Sequence, residues 1–362
     1  MKLVANIQLK PTRAQEKALR ETLERCNAAC DYLSERAHAA GKTRQFDLHK
    51  LAYADVRSRF GLTAQAAVRS VAKVADAYKT GREGLCRFRK HAAQPYDDRI
   101  FRFTAKDTVS IWLLGGRQKI HFVCGERQRA LLAFRKGEVD LMLVRGKWYL
   151  ACVCDVPDPK EIDVEGVLGV DFGIVNLAFD SLGNSYSGAD VERVRSKFAR
   201  RRGGLQRRGT KAAKRRLKKL SGKEARFRKH VNHCISKEIV ATAERSRLAI
   251  AVEDLRHIRK RVKARKAQRN RLHGWAFAQL RQFTAYKAKL ASIPMGAIDP
   301  RNTSRTCPEC GVIDKANRRS QADFSCVHCG HTAAADYVAA QNIRVAGAAC
   351  NPALSSRTAI AA

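Results

Sequence analysis

The sequence predicts a multidomain protein of the α+β and α/β classes. An N-terminal helical bundle and a small β-barrel come first, and a second domain with a four-cysteine zinc ribbon follows. Its 362 residues exceed one typical domain, and 45% of them are hydrophobic, which is enough for packed cores. The spacing of the apolar residues also changes twice along the chain. Two Cys-x-x-Cys pairs near the C-terminus complete the observations behind this prediction.

The first eighty residues predict one strand and then helices. Residues 2–10 alternate between apolar and polar side chains, as a strand does. A proline ends this pattern, and Thr12 can cap a helix whose apolar residues recur at helical spacing. Two further helical patterns cover residues 48–59 and 63–80. We therefore expect a helical domain over residues 11–81.

The following segment, residues 82–160, predicts β-structure. Short alternating runs are separated by glycines and charged turns. Together with residues 1–10 these runs indicate a β-barrel or a sandwich. Pro157 and Pro159 stand among acidic residues and mark a linker to the second domain.

The second domain opens with buried strands. Residues 164–187 predict the two strands of a hairpin, with Gly183 and Asn184 in its turn. Residues 247–255 predict another apolar strand, which ends on acidic residues. An alanine-rich run from Asp336 onwards predicts a terminal helix.

The charge of the chain points to a polyanionic partner. Lys and Arg total 71 against 34 Asp and Glu, which gives a formal net charge of +37. Such an excess repels itself unless a polyanion neutralises it, and nucleic acid does so through its phosphates. A solvated basic surface without a specific partner is the alternative. No segment approaches the ~20 apolar residues of a membrane span, and the N-terminus lacks the apolar core of a signal peptide, so we expect a cytoplasmic protein without a membrane partner.

Positive charge is most concentrated over residues 195–229, which hold 17 Lys and Arg and one acid, Glu224. This composition favours helical segments that lie on a phosphate backbone, and the alternative is a solvated arm. A second basic run covers residues 256–271. The candidate phosphate contacts in the first run are Arg200, Arg201, Arg202, Arg207, Arg208, Lys211, Arg215, Arg216, Lys218 and Lys219.

Four cysteines have the spacing of a zinc site. They follow the pattern C-x2-C-x15-C-x2-C and are Cys307, Cys310, Cys326 and Cys329. Two tight turns of this kind supply the four thiolates that zinc prefers. His328 and His331 are alternative ligands, but four cysteines already close the site, so the predicted zinc is structural. The remaining eight cysteines show no grouping of ligands, and in a reducing cytosol we expect them to be small buried apolar residues.

Three acids are candidates for a second metal centre. Asp171 interrupts an apolar strand, Glu253 ends another, and Asp336 stands at the start of the terminal helix. A lone carboxylate in a buried strand costs several kcal/mol unless it is paired or binds a cation. Such carboxylates can hold two Mg2+ or Mn2+ ions ~3.5–4 Å apart for phosphodiester hydrolysis.

Each acid also has a simpler interpretation. Asp336 alone would be a helix N-cap, and Glu253 alone a salt bridge at a strand end. Asp254 should point away from Glu253, but the strand register decides which of the two faces the site. Asp180 and Asp190 have the pattern of turn or cap residues.

The order of these motifs resembles the TnpB family of RNA-guided DNA endonucleases, which insertion sequences encode and which are relatives of the type V CRISPR effectors. The resemblance rests on GVDFGIVNLA, AVEDL, PRNTSRTCPECG and CVHCGHTAAADYVAAQNI, and it is most specific over residues 164–346. It implies a RuvC nuclease domain of the RNase H type over residues 163–303, with the basic helical insertion at 195–229. It also implies a zinc ribbon at 304–332 and a terminal RuvC helix and tail at 333–362.

The resemblance assigns the remaining parts as well. Residues 1–10 and 82–160 would form a wedge-type barrel, and residues 11–81 a helical recognition domain. The catalytic, metal-binding triad would be Asp171, Glu253 and Asp336, with Mg2+ or Mn2+ as cofactor and Zn2+ in the ribbon. The last motif departs from the family at one position, because Val338 replaces an asparagine that would supply an amide near the metals.

A guide RNA and target DNA are the partners that the resemblance implies, and the guide would read the target by base pairing. The protein would be prokaryotic, would associate with the nucleoid when bound to DNA, and is expected to be a monomer. A nuclease-inactive RNA-guided repressor is one alternative, although all three acids are present. A strand-transfer transposase with an RNase H fold is another, against which the ribbon between the second and third acids speaks.

Overall fold

The computed structural model describes residues 1–81, 84–173, 175–255 and 277–350. The basic run at 256–271 therefore lies outside the described residues, as does the end of the predicted C-terminal tail. Contacts within the chain divide it into two compact units, Met1–Pro157 and Asp158–Ala362. Within the described residues, none of the helices combines the length and apolar character that crossing a membrane requires.

Three helices of the first unit confirm the predicted helical segments. They are α1 (Arg13–Ala40), α2 (Gln45–Phe60) and α3 (Ala64–Lys79). Thr12 caps α1 as predicted, because its hydroxyl accepts a hydrogen bond from the Gln15 backbone N–H. The Gln15 side chain accepts one in return from the Thr12 N–H, which completes a capping box.

The rest of the first unit is an antiparallel, barrel-like sheet with one short helix, α4 (Glu126–Leu132). Its strands are β1 (Lys2–Lys10), β2 (Gln94–Tyr96), β3 (Phe101–Ala105), β4 (Thr108–Leu113), β5 (Gly116–Val123), β6 (Arg135–Val144) and β7 (Lys147–Asp155). The strand order is β2-β6-β7-β1-β5-β4-β3. The N-terminal strand lies in the middle, paired with β7 and β5, so its predicted place in the barrel is confirmed.

The second unit is built on a mixed five-stranded sheet. Its strands are β8 (Gly166–Asp171), β9 (Asn176–Asp180), β10 (Ser185–Ser187), β11 (Leu248–Glu253) and β12 (Met295–Ile298), in the order β10-β9-β8-β11-β12. Neighbours from β10 to β8 are antiparallel, whereas β8, β11 and β12 are parallel.

The first part of this sheet has three strands where the sequence predicted two. The predicted turn at Gly183 and Asn184 is present, but it joins β9 to β10. Asp180 fixes the turn, because its buried carboxylate accepts hydrogen bonds from the backbone N–H groups of Leu182 and Asn184. The additional strand arises because the chain already reverses once after Asp171. Asp190 lies in the first turn of the following helix, whose N-cap is Gly188.

Helices cover both faces of the sheet. They are α5 (Ala189–Arg208), α6 (Lys211–Arg245), α7 (Phe277–Leu290) and α8 (Ala335–Ala349). One face packs Leu168, Val170, Ile250 and Val252 against apolar residues of α6 and α7. The other packs Val167, Ala249 and Ala251 against Ile343 of α8. Alternation along β8 and β11 thus separates two hydrophobic cores.

Two cysteines depart from the predicted burial. Cys26, Cys30, Cys86, Cys152 and Cys154 are buried as expected, and Cys124 is half-buried. Cys234 and Cys350 are exposed, so that prediction was wrong for them. Cys350 is the C-cap of α8, beyond its last packed turn, and Cys234 lies on the solvent side of α6.

Candidate metal centres and basic surface

Two of the predicted acids end neighbouring parallel strands. Val170 pairs in register with Val252, so the next residues, Asp171 and Glu253, are adjacent at the same edge of the sheet. Side chains alternate along a strand, and the residues two and four positions before Asp171 face α8. Asp171 and Glu253 therefore project toward the α8 side of the sheet.

Small residues bring α8 against this face. A Cβ atom on Gly169 would lie 2.1 Å from the Ala340 carbonyl oxygen and 2.5 Å from the Arg344 nitrogen. A Cβ atom on Gly347 would lie 2.4 Å from the Ala251 Cβ atom. The backbone of the helix thus touches the strands directly, and Asp336 in its first turn reaches the edge that carries the other two acids.

Asp336 does not cap α8. The N-cap is Ala334, and no side chain completes that cap. The carboxylate of Asp336 instead accepts a 2.8 Å hydrogen bond from the side-chain amide of Asn176. The simpler interpretation of Asp336 as an N-cap therefore does not hold, because this aspartate stands two residues after the cap position and has a partner from the sheet.

The three acids line one cavity of about 660 Å³. Thr303 also lines it and donates a hydrogen bond from its hydroxyl to Glu253. Arg318, from the segment between the two cysteine pairs, lines the same cavity. Its positive charge lowers the pKa of Asp171 and of Glu253, although other effects on both groups are larger.

Burial raises the pKa of Asp171 and of Glu253, and repulsion from the other acids adds to the shift at Asp171. Burial is the largest cause that raises the pKa of Asp171 to about 8, and the negative charges of Glu253 and Asp336 add to it. Burial likewise raises the pKa of Glu253, against the Thr303 hydrogen bond that lowers it. A bound cation would offset both the burial of these carboxylates and the repulsion between their negative charges.

The carboxylates form a wider group than a single compact site. Among the described residues, only the four cysteines have ligand atoms that all lie within 4.8 Å of one another. A pair of ions ~3.5–4 Å apart needs carboxylates spread around both, so three acids about one open cavity suit that donor arrangement. Oxygen donors of this kind fit Mg2+ or Mn2+.

Asp254 faces elsewhere, as the alternation of the strand predicted. Its carboxylate lies 3.1 Å from the guanidinium of Arg281 on α7, and it lines a different cavity from the one that holds Glu253 and Asp171. The register therefore directs Glu253 into the acid cavity.

Three polar residues that line this cavity, and one that supports its wall, were not identified from the sequence as part of the site. They are Asn176, Thr303, Arg318 and Asn342. The Asn342 amide on α8 donates to the carbonyl oxygens of Thr303 and Thr306, at 2.7 and 2.8 Å, and so fixes the loop that carries the Thr303 hydroxyl. Thr303 stands within the PRNTSRTCPECG motif, and that motif could have indicated its role at the site. For Arg318 the sequence offered no indication apart from its position between the two cysteine pairs.

Val338 lies in the core of the four-cysteine ribbon and not among the acids. It is fully buried with Cys307, Phe324, Cys326 and Ala335. The expectation that this position would supply an amide beside the metals does not fit this environment, because a buried amide needs hydrogen-bond partners that these apolar neighbours lack. Val338 instead attaches the first turns of α8 to the ribbon.

The four predicted zinc ligands come together. The Cys307 and Cys329 sulfur atoms are 3.6 Å apart, and those of Cys310 and Cys326 are 3.5 Å apart. Zinc–sulfur bonds of about 2.3 Å in a tetrahedron separate the sulfurs by about 3.8 Å, so the thiols fit zinc. Backbone N–H groups are the largest cause that lowers the pKa of Cys326 to about 6, whereas, against a hydrogen bond from the His331 N–H, the pKa of Cys329 is raised to about 12 by burial and by the neighbouring thiols. A cation among the four sulfurs would favour their thiolate forms.

The ribbon's backbone supports this arrangement. Gly311 and Gly330, each directly after a cysteine pair, have φ of 74° and 77°, a conformation that glycine adopts without strain. Strands β13 (Asp323–Ser325) and β14 (Thr332–Ala334) pair just before α8. The buried amide of Asn317 bonds to Val312 and Val327 and links the two knuckles.

The predicted basic segment forms two helices, α5 and α6, which pack against each other. Nine of the ten candidate phosphate contacts are exposed on them: Arg200, Arg201, Arg207, Arg208, Lys211, Arg215, Arg216, Lys218 and Lys219. Arg202 is the exception, because its guanidinium pairs across the two helices with Glu224, whose side chain is only 13% exposed. Arg202 therefore joins the helices to each other.

Two family models match the chain. The model described as "Probable transposase" (OrfB_IS605) matches residues 151–271, and "Cas12f1-like, TNB domain" matches residues 277–343. A TnpB-like protein of Methanocaldococcus jannaschii is 30% identical over 200 residues, which cover 52% of this chain and 70% of that protein.

Longer relatives are also similar. The CRISPR-associated endodeoxyribonuclease Cas12f1 of Sulfoacidibacillus thermotolerans is 35% identical over 219 residues, 56% of this chain and 50% of that protein. The chain thus spans about half the length of this relative. A cryo-EM structure of a Cas12f1–sgRNA–target DNA complex matches with a TM-score of 0.67 at 17% identity, over 94% of this chain and 83% of that one, which is similarity of fold.

Proposed function

Because the chain belongs to the TnpB family, we propose that it is an RNA-guided, divalent-metal-dependent DNA endonuclease of a transposable element. Its reaction would be the hydrolysis of phosphodiester bonds in a target DNA. The observation that carries the proposal is the meeting of Asp171, Glu253 and Asp336 at one cavity, from two strand ends and one helix start.

The proposed catalytic centre lies in a RuvC domain of the RNase H type. The five-stranded sheet supports this, since three antiparallel strands are followed by two parallel ones and the acids stand at the ends of its central strands. The seven-stranded sheet and the helices of the first unit would be the wedge barrel and the recognition domain. The four-cysteine ribbon would hold a structural Zn2+, because a closed set of four thiolates leaves no position for a substrate.

The chain's own residues divide the work of hydrolysis between them. When bound, a pair of Mg2+ or Mn2+ ions would supply an activated water and stabilise the leaving oxygen. Asp171 and Glu253 would hold the ions on rigid strand ends, and Asp336 would do so from α8. Asn176 and Thr303 fix the carboxylates that they contact. Arg318 brings a guanidinium, which suits the oxygens of a phosphate, to the same cavity.

A guide RNA and target DNA are the proposed partners. The net charge of +37 and the exposed Lys and Arg side chains of α5 and α6 support contacts with phosphates. The solved relative with a similar fold is a complex with sgRNA and target DNA, which agrees with the proposal. Sequence would be read by pairing between the guide and its target.

Cleavage of a guided target tests the proposal. The protein is purified with its bound RNA, the RNA is sequenced, and matching DNA is added with Mg2+. We expect cleavage by the wild-type chain, with Asp171→Ala abolishing cleavage while DNA binding remains. Binding without cleavage by the wild type would instead support a nuclease-inactive binding protein, and joining of DNA ends without RNA would support a transposase. Loss of DNA binding in Asp171→Ala would assign that acid a structural role.

A further inference from the structure

Exposed apolar side chains lie along one side of the acid cavity. Val175 and Phe179 line the cavity, and Tyr337 directly follows Asp336. Val175 is 58% exposed, Tyr337 is 36% exposed and Phe179 is partly exposed. The rings of Phe179 and Tyr337 meet edge to face, with centroids 6.4 Å apart and an interplanar angle of 81°. We call Phe179 and Tyr337, together with the aliphatic Val175, the aromatic rim.

Strand pairing places the rim beside the acids. Phe179 on β9 is the register partner of Asp171 on β8, so the two side chains are neighbours on one face of the sheet. Tyr337 is the next residue after Asp336 in α8. The two aromatic residues thus adjoin two of the three carboxylates, each through a fixed element of secondary structure.

Neither ring is buried in a hydrophobic core of the protein. The neighbouring β9 residues Leu177 and Ala178 are buried, whereas Phe179 remains partly open to solvent. An edge-to-face pair covers a face of only one of its rings, and the pair therefore keeps aromatic surface for another flat group. Exposed apolar surface beside a cavity that bears charged groups is typical of a ligand site.

We propose that the aromatic rim binds a nucleobase of the DNA strand whose phosphodiester group occupies the acid cavity. This inference rests on the proposed nuclease function and deepens it. A base and its phosphate are joined through one sugar, so a strand held at the acids brings a flanking base to Phe179 and Tyr337. A base in a duplex has both faces stacked and cannot meet a ring, so the bound segment is single-stranded at this point.

The rim selects for an unpaired base and not for a particular sequence. Every base has a flat face, so aromatic stacking tolerates all four bases. The basic surfaces of the chain attract any phosphate backbone, duplex or single. The rim therefore adds the preference for an unstacked strand at the point where cleavage would occur.

A binding cycle tests the rim. The full chain is titrated without added Mg2+ or Mn2+, and without a chelator that would remove the zinc of the ribbon. The ligands are a fluorescein-labelled single-stranded DNA of 20 nucleotides and the same backbone in which every base is replaced by an abasic site. Wild type is compared with Tyr337→Ala and Phe179→Leu. We expect each substitution to weaken binding of the normal strand by about tenfold, as the loss of one stacked base would. Binding of the abasic strand should change less than about twofold, since no base remains to stack.

Controls separate stacking from folding and from catalysis. Tyr337→Phe keeps the ring and should bind both strands as the wild type does. Leu182→Ala removes an apolar side chain that is more exposed than Tyr337, at the β9–β10 turn, and should have no effect on either strand. If the substitutions weaken binding of both strands equally, or do not weaken binding of the normal strand, the proposed role of the aromatic rim is refuted. The assay needs no cleavage, so an inactive nuclease would not alter its result.

Discussion

Gly169 of β8 touches the carbonyl oxygen of Ala340 so closely that a Cβ atom on this glycine would lie 2.1 Å from it. The obstacle is backbone on a helix that is itself packed on the sheet, so it cannot rotate away as a side chain could. The same contact sets the height of α8 over the strand that carries Asp171. Helix position and acid geometry therefore depend on the absence of one methyl group.

Gly169→Ala should displace α8 and separate Asp336 from Asp171 and Glu253. We expect a loss of about 1–3 kcal/mol in the free energy of unfolding. A shift of the acids by about 1 Å should lower the cleavage rate by about 100-fold. Gly296→Ala is the matched control, because this glycine is on β12 of the same sheet and a Cβ atom there would meet nothing within 4 Å. Similar losses in both variants would show that the effect is a general strand defect.

Thr303 should control how tightly Glu253 holds its cation. Thr303→Val keeps the shape of the side chain but removes the hydroxyl that donates to Glu253. We expect the Mg2+ concentration for half-maximal cleavage to rise about tenfold or more, because hydrogen bonds to metal ligands tune metal affinity to that extent. The stabilisation of the protein by Mn2+, read as a thermal shift, should fall in parallel. Thr303→Ser retains the donor and should behave as wild type; equal defects in both variants would refute the role of the hydroxyl.

The sequence carried enough information to find the three acids but not the residues that orient them. Asp171 and Glu253 were visible because a carboxylate in an apolar strand is costly, and that cost is a local property. Asn176 and Asp336, 160 residues apart, meet only because α8 packs on the sheet. No local pattern encodes such a contact.

Arg202 and Val338 are two further residues whose roles depend on tertiary contacts that the sequence pattern does not reveal. A run of basic residues predicts where charge concentrates, but it does not reveal that Glu224 on the neighbouring helix pairs with Arg202. The motif placed Val338 close to Asp336 in sequence, whereas the helix turns its side chain into the ribbon core. Charge and spacing thus predicted the elements and the residues that come together, while tertiary packing decided which side chains face the cavity.

Removal of zinc should inactivate the acid centre, although none of the four cysteines lines the acid cavity. The ribbon core contains Cys307 and Cys326 together with Ala335 and Val338, which flank Asp336 in α8. We expect one zinc per chain by metal analysis, and we expect Cys310→Ser to lose both zinc and cleavage. Cys350→Ser alters an exposed cysteine outside the cluster and should keep both. Full zinc content in Cys310→Ser would contradict the assignment.

Asp171 should make the metal-free protein less stable as the pH rises. Its pKa is raised from 3.8 to about 8 in the folded chain, so between these values the folded state binds more protons than the unfolded state, and the stability falls with increasing pH. Asp171→Asn removes the free-energy cost of ionising this buried carboxyl group. It should therefore raise the melting temperature at pH 8 by about 2 °C or more. Asp254→Asn, which weakens the ion pair with Arg281, should give no such gain. Parallel melting curves of wild type and Asp171→Asn from pH 5 to 8 would contradict this origin.

The basic helices should separate into residues that bind phosphate and one that holds the helices together. Arg215 and Lys218 are exposed on α6, so the double variant Arg215→Gln/Lys218→Gln should weaken nucleic-acid binding and lower the slope of log K against log salt by about 2. Its melting temperature should not change. Arg202→Gln should instead lower the melting temperature and leave the salt slope unchanged. It leaves the largely buried Glu224 without its partner and loosens the packing of α5 on α6. Melting curves and salt-dependent binding isotherms measure both, and an unchanged salt slope in the double variant would exclude these side chains as phosphate contacts.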